Sequence, residues 1–187
     1  MSNLNPFETH KPILQKIITD FNIKSILEFG MGNYSTKMFL EYCNEVVSIE
    51  MQDSNWYDVI SEKYKDDKKL TALLKLGEET FLEYVNNLNR KFDLVFVDGH
   101  GHSRWEQINS CFDKTSIISA HDTESKIYKW YNVNLPDSWY WIDIKNENPW
   151  TSIISNDLKL KETIMSSFQC TEVKDLNNKE YVNYDME

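Results

Sequence analysis

The chain is short of glycine, basic charge, cysteine and long apolar runs, and each shortage excludes something. Only five glycines occur among its 187 residues, Gly30, Gly32, Gly77, Gly99 and Gly101, and each falls where an apolar, strand-like run gives out. A chain this sparing keeps glycine where backbone geometry leaves no alternative. Twenty bases against thirty acids leave a formal charge of −10. Such a surface repels nucleic acid and anionic membranes unless a local basic patch intervenes, and the one lysine-rich run, Lys63 to Lys69, is broken by Asp66 and Asp67. The three cysteines, Cys43, Cys111 and Cys170, are far apart and odd in number, which excludes a disulfide framework and a cysteine zinc site and implies a reducing compartment. No apolar run is long enough to span a bilayer. The opening Met-Ser-Asn-Leu-Asn-Pro lacks the regions of a signal peptide, so a cytoplasmic location is expected.

What is present describes a soluble globular protein, 41% hydrophobic and 27% charged, with room for one domain over 1–187. Residues 1–11 are polar and read as a loose lead-in. From Pro12, the spacing of Ile13, Leu14, Ile17, Ile18 and Phe21 predicts a helix. Strands are then expected at 25–29, 45–50, 68–76, 92–97 and 116–120. Helices are expected between them at 36–43 (Met38, Phe39 and Tyr42 inward), 54–64 (Trp56, Val59 and Ile60 inward), 80–88 and 105–112. No proline interrupts this alternation between Pro12 and Pro136. The pattern predicts an α/β fold, a Rossmann-like doubly wound, mostly parallel sheet with helices on both faces. Two further strands, 139–145 and 150–155, are expected as an antiparallel pair at the sheet edge, followed by a helix at 159–168 and a weak strand at 171–173.

The motif that organises the rest is Ile-Lys-Ser-Ile-Leu-Glu-Phe-Gly-Met-Gly-Asn-Tyr-Ser-Thr at 23–36. A buried strand enters a tight turn at Gly30 and Gly32 and then a helix, as in nucleotide-binding α/β units. Two details disfavour the dinucleotide version, and with it a nicotinamide-dependent oxidoreductase. Ser35 stands where the third glycine of G-x-G-x-x-G belongs, and Glu28 ends the strand with a charge that repels pyrophosphate. Glu50 lies 20 residues beyond Gly30 at the end of the second strand, where an acid accepts bonds from ribose hydroxyls. Ser35 suits either a ligand bond or a helix cap. In a doubly wound sheet, Glu28, Glu50, Glu78, Asp98 and the pair His121-Asp122 share the carboxyl rim where ligands bind.

Together these residues, with Val-Val-Ser-Ile-Glu at 46–50 and Asp-Gly at 98–99, resemble the class I S-adenosylmethionine-dependent methyltransferases over residues 12–124. The resemblance implies that Glu50 holds the ribose of S-adenosylmethionine and that Glu28 meets the methionine ammonium. Gly30, Gly32 and Asp98 would line the cofactor, and Glu78 or Glu79 would receive the adenine amino group. The stretch Asp98-Gly99-His100-Gly101-His102-Ser103-Arg104 and the triplet His121-Asp122-Thr123 resemble the Asp-Gly-Asp-His-Ser and His-Asp-Thr motifs of a subfamily that methylates small molecules. The resemblance implies a small-molecule acceptor, with oxygen the expected nucleophile, and a rim histidine as base. His102 is preferred to His100, because Gly101 lets the loop turn back, and His121 is the third candidate.

Asp98 and Asp122 end adjacent strands, which lie ~4.8 Å apart, so their carboxylates need a cation, a proton or Arg104 between them. A divalent ion such as magnesium on these two acids resembles the metal-dependent O-methyltransferases. Trp56 can contact the nucleoside or fill an apolar helix face. The aromatic segment 128–150 suits core packing, an acceptor lid or a contact within a homo-oligomer. A binding protein that keeps this fold without turnover fits the same residues.

Overall fold

The computed structural model describes residues 5–182, apart from the side chains of Glu78 and Glu79. The first helix, α1 (Lys11–Asp20), carries Pro12 in its first turn and buries one stripe, Ile13, Leu14, Ile17 and Ile18. It leads into β1 (Ser25–Phe29), α2 (Ser35–Tyr42), β2 (Glu45–Glu50), α3 (Ser54–Lys63), β3 (Leu70–Leu74), α4 (Glu78–Asn87), β4 (Leu94–Val97), α5 (Arg104–Asn109) and β5 (Ile117–His121). The strands stand in the order β3-β2-β1-β4-β5, all parallel. The order reverses between β1 and β4, and a crevice opens outside the strand ends at such a switch point. The chain then adds β6 (Tyr140–Ile144), β7 (Thr151–Ser155), α6 (Leu158–Ser167) and β8 (Cys170–Val173), paired antiparallel in the order β5-β7-β6-β8.

Alternate residues of each central strand face opposite layers. Ile26, Val46, Leu94 and Phe96 pack against α1, α2 and α6, while Leu27, Phe29, Val47, Ile49 and Val95 pack against α4, α5 and the segment around Trp130. The expected doubly wound sheet with helices on both faces and an antiparallel pair is what the chain forms. The weakly signalled strand at 171–173 is β8, and it pairs with β6 to extend the antiparallel part to three strands.

Several expectations change. The lead-in is not loose where it is described: Pro6–Glu8 form a 3-10 turn, and Thr9 and His10 are each 2% exposed. On α3 only Ile60 is buried, with Trp56 at 37% and Val59 at 57% exposure, because α3 covers β2 and the narrow edge strand β3 rather than the middle of the sheet. Tyr42 likewise points outward at the end of α2. Much of the aromatic segment is core: Trp130 and Trp141 are wholly buried with ring centroids 5.8 Å apart, while Tyr131 is exposed.

Candidate functional site at the carboxyl edge of the sheet

The turn after β1 is fixed from three sides. Gly30 adopts φ +90°, and a Cβ there would lie 2.5 Å from the Asp98 carbonyl oxygen, so the ends of β1 and β4 meet backbone to backbone. The Gly30 N–H donates to the Ile49 carbonyl at 2.8 Å. The Gly32 N–H donates to Thr36 Oγ1 at 2.9 Å, and that hydroxyl donates to Glu28 Oε2 at 2.7 Å, which also accepts from Ser48 Oγ at 2.5 Å. Trp56 Nε1 donates to the Met31 carbonyl at 2.7 Å from the opposite side. Glu28 is wholly buried, burial pushes its carboxyl up to about 7, and its Oε1 has no hydrogen-bond partner. It acts as the anchor of the turn.

A groove runs along the rim in three sections. The middle section, about 260 Å³, lies over Gly30, Gly32, Glu50 and Asp98, with Trp56 as its wall. The largest, about 780 Å³, is bounded by Met51, Leu76, Gly77, Thr80, His100 and Ser103. The third, about 280 Å³, is bounded by Phe7, His10, Tyr34, Ser35, Trp56 and Asp98. Glu50 Oε1 accepts the N–H groups of Met51 at 2.9 Å, Gln52 at 2.8 Å and Asp53 at 3.3 Å, and Oε2 takes no such bond. Ser35 is not a helix cap. Tyr34 is the N-cap residue of α2, and Ser35, inside the first turn, borders the third section. The expectation for Glu78 or Glu79 concerns side chains outside the described residues; Gly77, just before them, borders the largest section.

Beyond the middle section lies a cluster of charge. Arg104, 7% exposed at its side chain, sets its guanidinium 2.8 Å from Asp98 Oδ1 and 2.8 Å from Asp122 Oδ2. It also donates to the carbonyls of Gly99 and His121, each at 2.9 Å, and stacks on the Tyr128 ring 4.2 Å away. Asp122 holds φ +57°, a left-handed conformation that aspartate tolerates better than most residues, and so aims its carboxylate at Arg104. Of the three arrangements expected to relieve repulsion between Asp98 and Asp122, the chain uses the arginine, and a magnesium site built on that acid pair does not fit. Burial alone would raise the Asp98 carboxyl, but Arg104 and His121 outweigh it and hold it well below the usual carboxylate range.

His121, at the end of β5, presents Nδ1 to Asp98 at 3.6 Å and to Asp122 at 3.3 Å. Burial would lower its pKa, and the two carboxylates raise it above the ordinary value. Its Nε2 lies 2.9 Å from Thr9 Oγ1. His10 meets the His121 ring edge-on at 4.9 Å and leans on Phe96 at 5.1 Å, with neither ring nitrogen hydrogen-bonded. Burial and the neighbouring His121 push its pKa down to about 3. His100 and His102 form a separate pair, ring centroids 5.6 Å apart, on the 3-10 turn Gly101–Ser103 and its approach; His100 borders the largest section and His102 is exposed. The rim therefore unites Glu28, Glu50, Asp98, His121 and Asp122 as expected, and adds Thr9 and His10.

Comparison with solved structures places the architecture. The O-methyltransferase from Bacillus cereus, solved in complex with SAH, superposes with a TM-score of 0.66 over 82% of this chain and 82% of its own, at 13% identity. TomG from Streptomyces achromogenes, an O-methyltransferase in complex with SAM, gives 0.62 over 76% and 77%, at 13% identity. The SAH-bound Podospora anserina methyltransferase PaMTH1 gives 0.58 over 74% of each chain, at 15% identity. The fold is that of the O-methyltransferases. No family model matches the sequence, and no curated protein is significantly similar to it. Within this O-methyltransferase fold, the missed residues Thr9 and His10 come from the segment before α1. No periodicity or motif marked that segment, and it reaches His121 from 112 positions away.

Proposed function

We propose that this chain is an S-adenosylmethionine-dependent methyltransferase acting on an oxygen of a small molecule. The observation that carries the reading is Glu50. Its Oε1 is spent on three backbone N–H groups, which locks the carboxylate over the middle section, while Oε2 stays open to two ribose hydroxyls. The glycine turn fits the same group, since Gly30 and Gly32 line the middle section without side chains. Met51, Leu76, Gly77, Thr80 and Ser103 would enclose the adenine, and Gly32, Ser35 and Glu28 Oε1 would lie along the methionine part.

The cofactor supplies an electrophilic methyl group, so the protein needs only to align an acceptor and take up its proton. The third section, walled by Phe7, Tyr34 and Trp56, suits the acceptor, and its polar floor is His10 and Asp98 with His121 behind. Of the three histidines expected as base, His121 is the one beside Asp98, while His100 belongs to the adenine end.

The small size of the sections and the charge of −10 favour a small molecule over nucleic acid. A nicotinamide dinucleotide is disfavoured because the Gly32 N–H, which a pyrophosphate would need, is already given to Thr36. Calorimetric titration with S-adenosylmethionine, S-adenosylhomocysteine and NAD tests the reading. Binding of the first two without NAD is expected, and NAD binding alone would overturn it. Methylated product from a pool of small hydroxyl and carboxyl acceptors distinguishes an enzyme from a binding protein with the same fold.

A further inference from the structure

The geometry points to a divalent transition-metal site formed by His10, Asp98 and His121. One ligand atom from each of the three lies within 4.8 Å of the others, at the inner end of the acceptor section. Among the described residues this is the cluster with metal-binding spacing, and its ligand set is two imidazoles and one carboxylate. Three protein ligands with open positions toward a cavity is the form of a reactive rather than a structural site.

The hydrogen-bond pattern supports it independently. Thr9 Oγ1 lies 2.9 Å from His121 Nε2, 3.0 Å from the Pro149 carbonyl and 3.4 Å from the Pro6 carbonyl, so one ring nitrogen of His121 is held on the side away from Asp98. His121 Nδ1 is the nitrogen that faces Asp98 and Asp122, at 3.6 and 3.3 Å. The second-partner bond from Nε2 to Thr9 is also what a ligating histidine requires to fix its ring. His10 is 2% exposed and offers two nitrogens with no partner, an arrangement that costs stability unless something binds there.

Nitrogen ligands select zinc, cobalt, nickel or ferrous iron over magnesium and calcium. Arg104 already neutralises the other side of Asp98 and the carboxylate of Asp122, so Asp122 is not part of the set. The site's role in activating an acceptor rests on the methyltransferase reading; its existence does not.

The test uses the full-length chain without a histidine tag, stripped with a chelator and titrated with cobalt(II) by absorbance and with zinc and magnesium by calorimetry. One equivalent of cobalt should bind with visible d–d bands, zinc should bind at least a hundredfold more tightly than magnesium, and a copper(II)-loaded sample should show coupling to two imidazole nitrogens by electron paramagnetic resonance. His10→Leu should lose at least a hundredfold in cobalt affinity yet melt no lower than the metal-free parent, because it replaces an unpartnered imidazole with apolar bulk. Absence of cobalt binding to the parent, equal affinity for magnesium, or a His10→Leu protein with an unchanged cobalt spectrum would each overturn the proposal. The same samples titrated with S-adenosylmethionine separate the two readings: metal binding without cofactor binding defeats the methyltransferase reading alone, and the converse defeats the metal site alone.

Discussion

Glu28, one residue from the end of β1, and Glu50, the last residue of β2, lie on neighbouring strands, yet their surroundings give them different tasks. Glu50 is held by backbone N–H groups and keeps one oxygen free. Glu50→Gln keeps an acceptor for those N–H groups but loses the charge, and roughly tenfold weaker S-adenosylmethionine binding is expected, as a charge-assisted bond contributes ~1.5–3 kcal/mol. Glu50→Ala should bind more weakly still and melt lower, because the N–H of buried Met51 loses its partner. Unchanged cofactor affinity in a folded Glu50→Gln protein would remove Glu50 from the ribose.

Glu28 titrates instead. Its folded pKa of about 7 lies above the ordinary 4.5, so between these values the folded protein keeps a proton that the unfolded chain has released. Stability must therefore fall as pH rises through that window, by an amount on the order of 3 kcal/mol once both forms are ionised. Glu28→Gln removes the penalty. Urea denaturation should show it more stable than the parent at pH 8 and much less so at pH 5, and a pH-independent difference would refute the raised pKa. The sequence disclosed both acids and the strand ends that carry them. It did not disclose that one is a buried anchor, because that depends on Ser48 and Thr36 arriving from other elements.

At the level of elements, the glycine turn shows how strand packing selects a residue. Gly30 and Gly77 share a positive φ, +90° and +88°, but a Cβ at Gly30 meets backbone at 2.5 Å and one at Gly77 meets nothing within 4 Å. Gly77→Ala should cost only the conformational part, ~1–3 kcal/mol. Gly30→Ala should cost more and abolish cofactor binding, since the ends of β1 and β4 must separate. Equal losses of melting temperature in the two variants would mean that close approach is not what Gly30 serves. The same distinction explains what was legible. The central strands are buried on both faces and announce themselves as mostly apolar runs, interrupted singly at Glu28, Ser48 and Ser119. The edges do not: β3 is shorter than the 68–76 expected, and β8 is half-buried with little apolar pattern, its place set by pairing with β6. The lead-in before α1 had the same defect, since Thr9 and His10 are recognisable only by what they touch.

Over the whole molecule, an acidic chain buries two lysines, Lys114 and Lys179, and the second holds a network together. Lys179 is 5% exposed, follows the last strand, and pairs with buried Asp143 of β6 beneath the rings of Trp141, Trp150 and Tyr181. Burial lowers its pKa against the opposing pull of Asp143. Asp143 Oδ1 accepts from Trp141 Nε1 at 2.7 Å, and the Ser152 hydroxyl lies between it and Thr123 Oγ1, at 2.6 and 2.7 Å. Glu124, next along from Thr123, accepts the Trp150 N–H on its side chain and the Val182 N–H on its carbonyl. One polar network thus ties the C-terminal segment to the loop that begins at Asp122. Removing either charge strands the other in a dry site, typically at about 3–5 kcal/mol, whereas removing both leaves hydrogen bonds that an amide can still accept. Lys179→Met and Asp143→Asn should therefore each destabilise strongly, and the double variant should lose well under the sum, a coupling of at least ~2 kcal/mol in a denaturant cycle. In Lys179→Met the amides of Val182 and Trp150 should exchange faster together, as members of one locally unfolding unit. Additive losses, or exchange confined to Val182, would show the pair to be a local contact with no hold on the site loop.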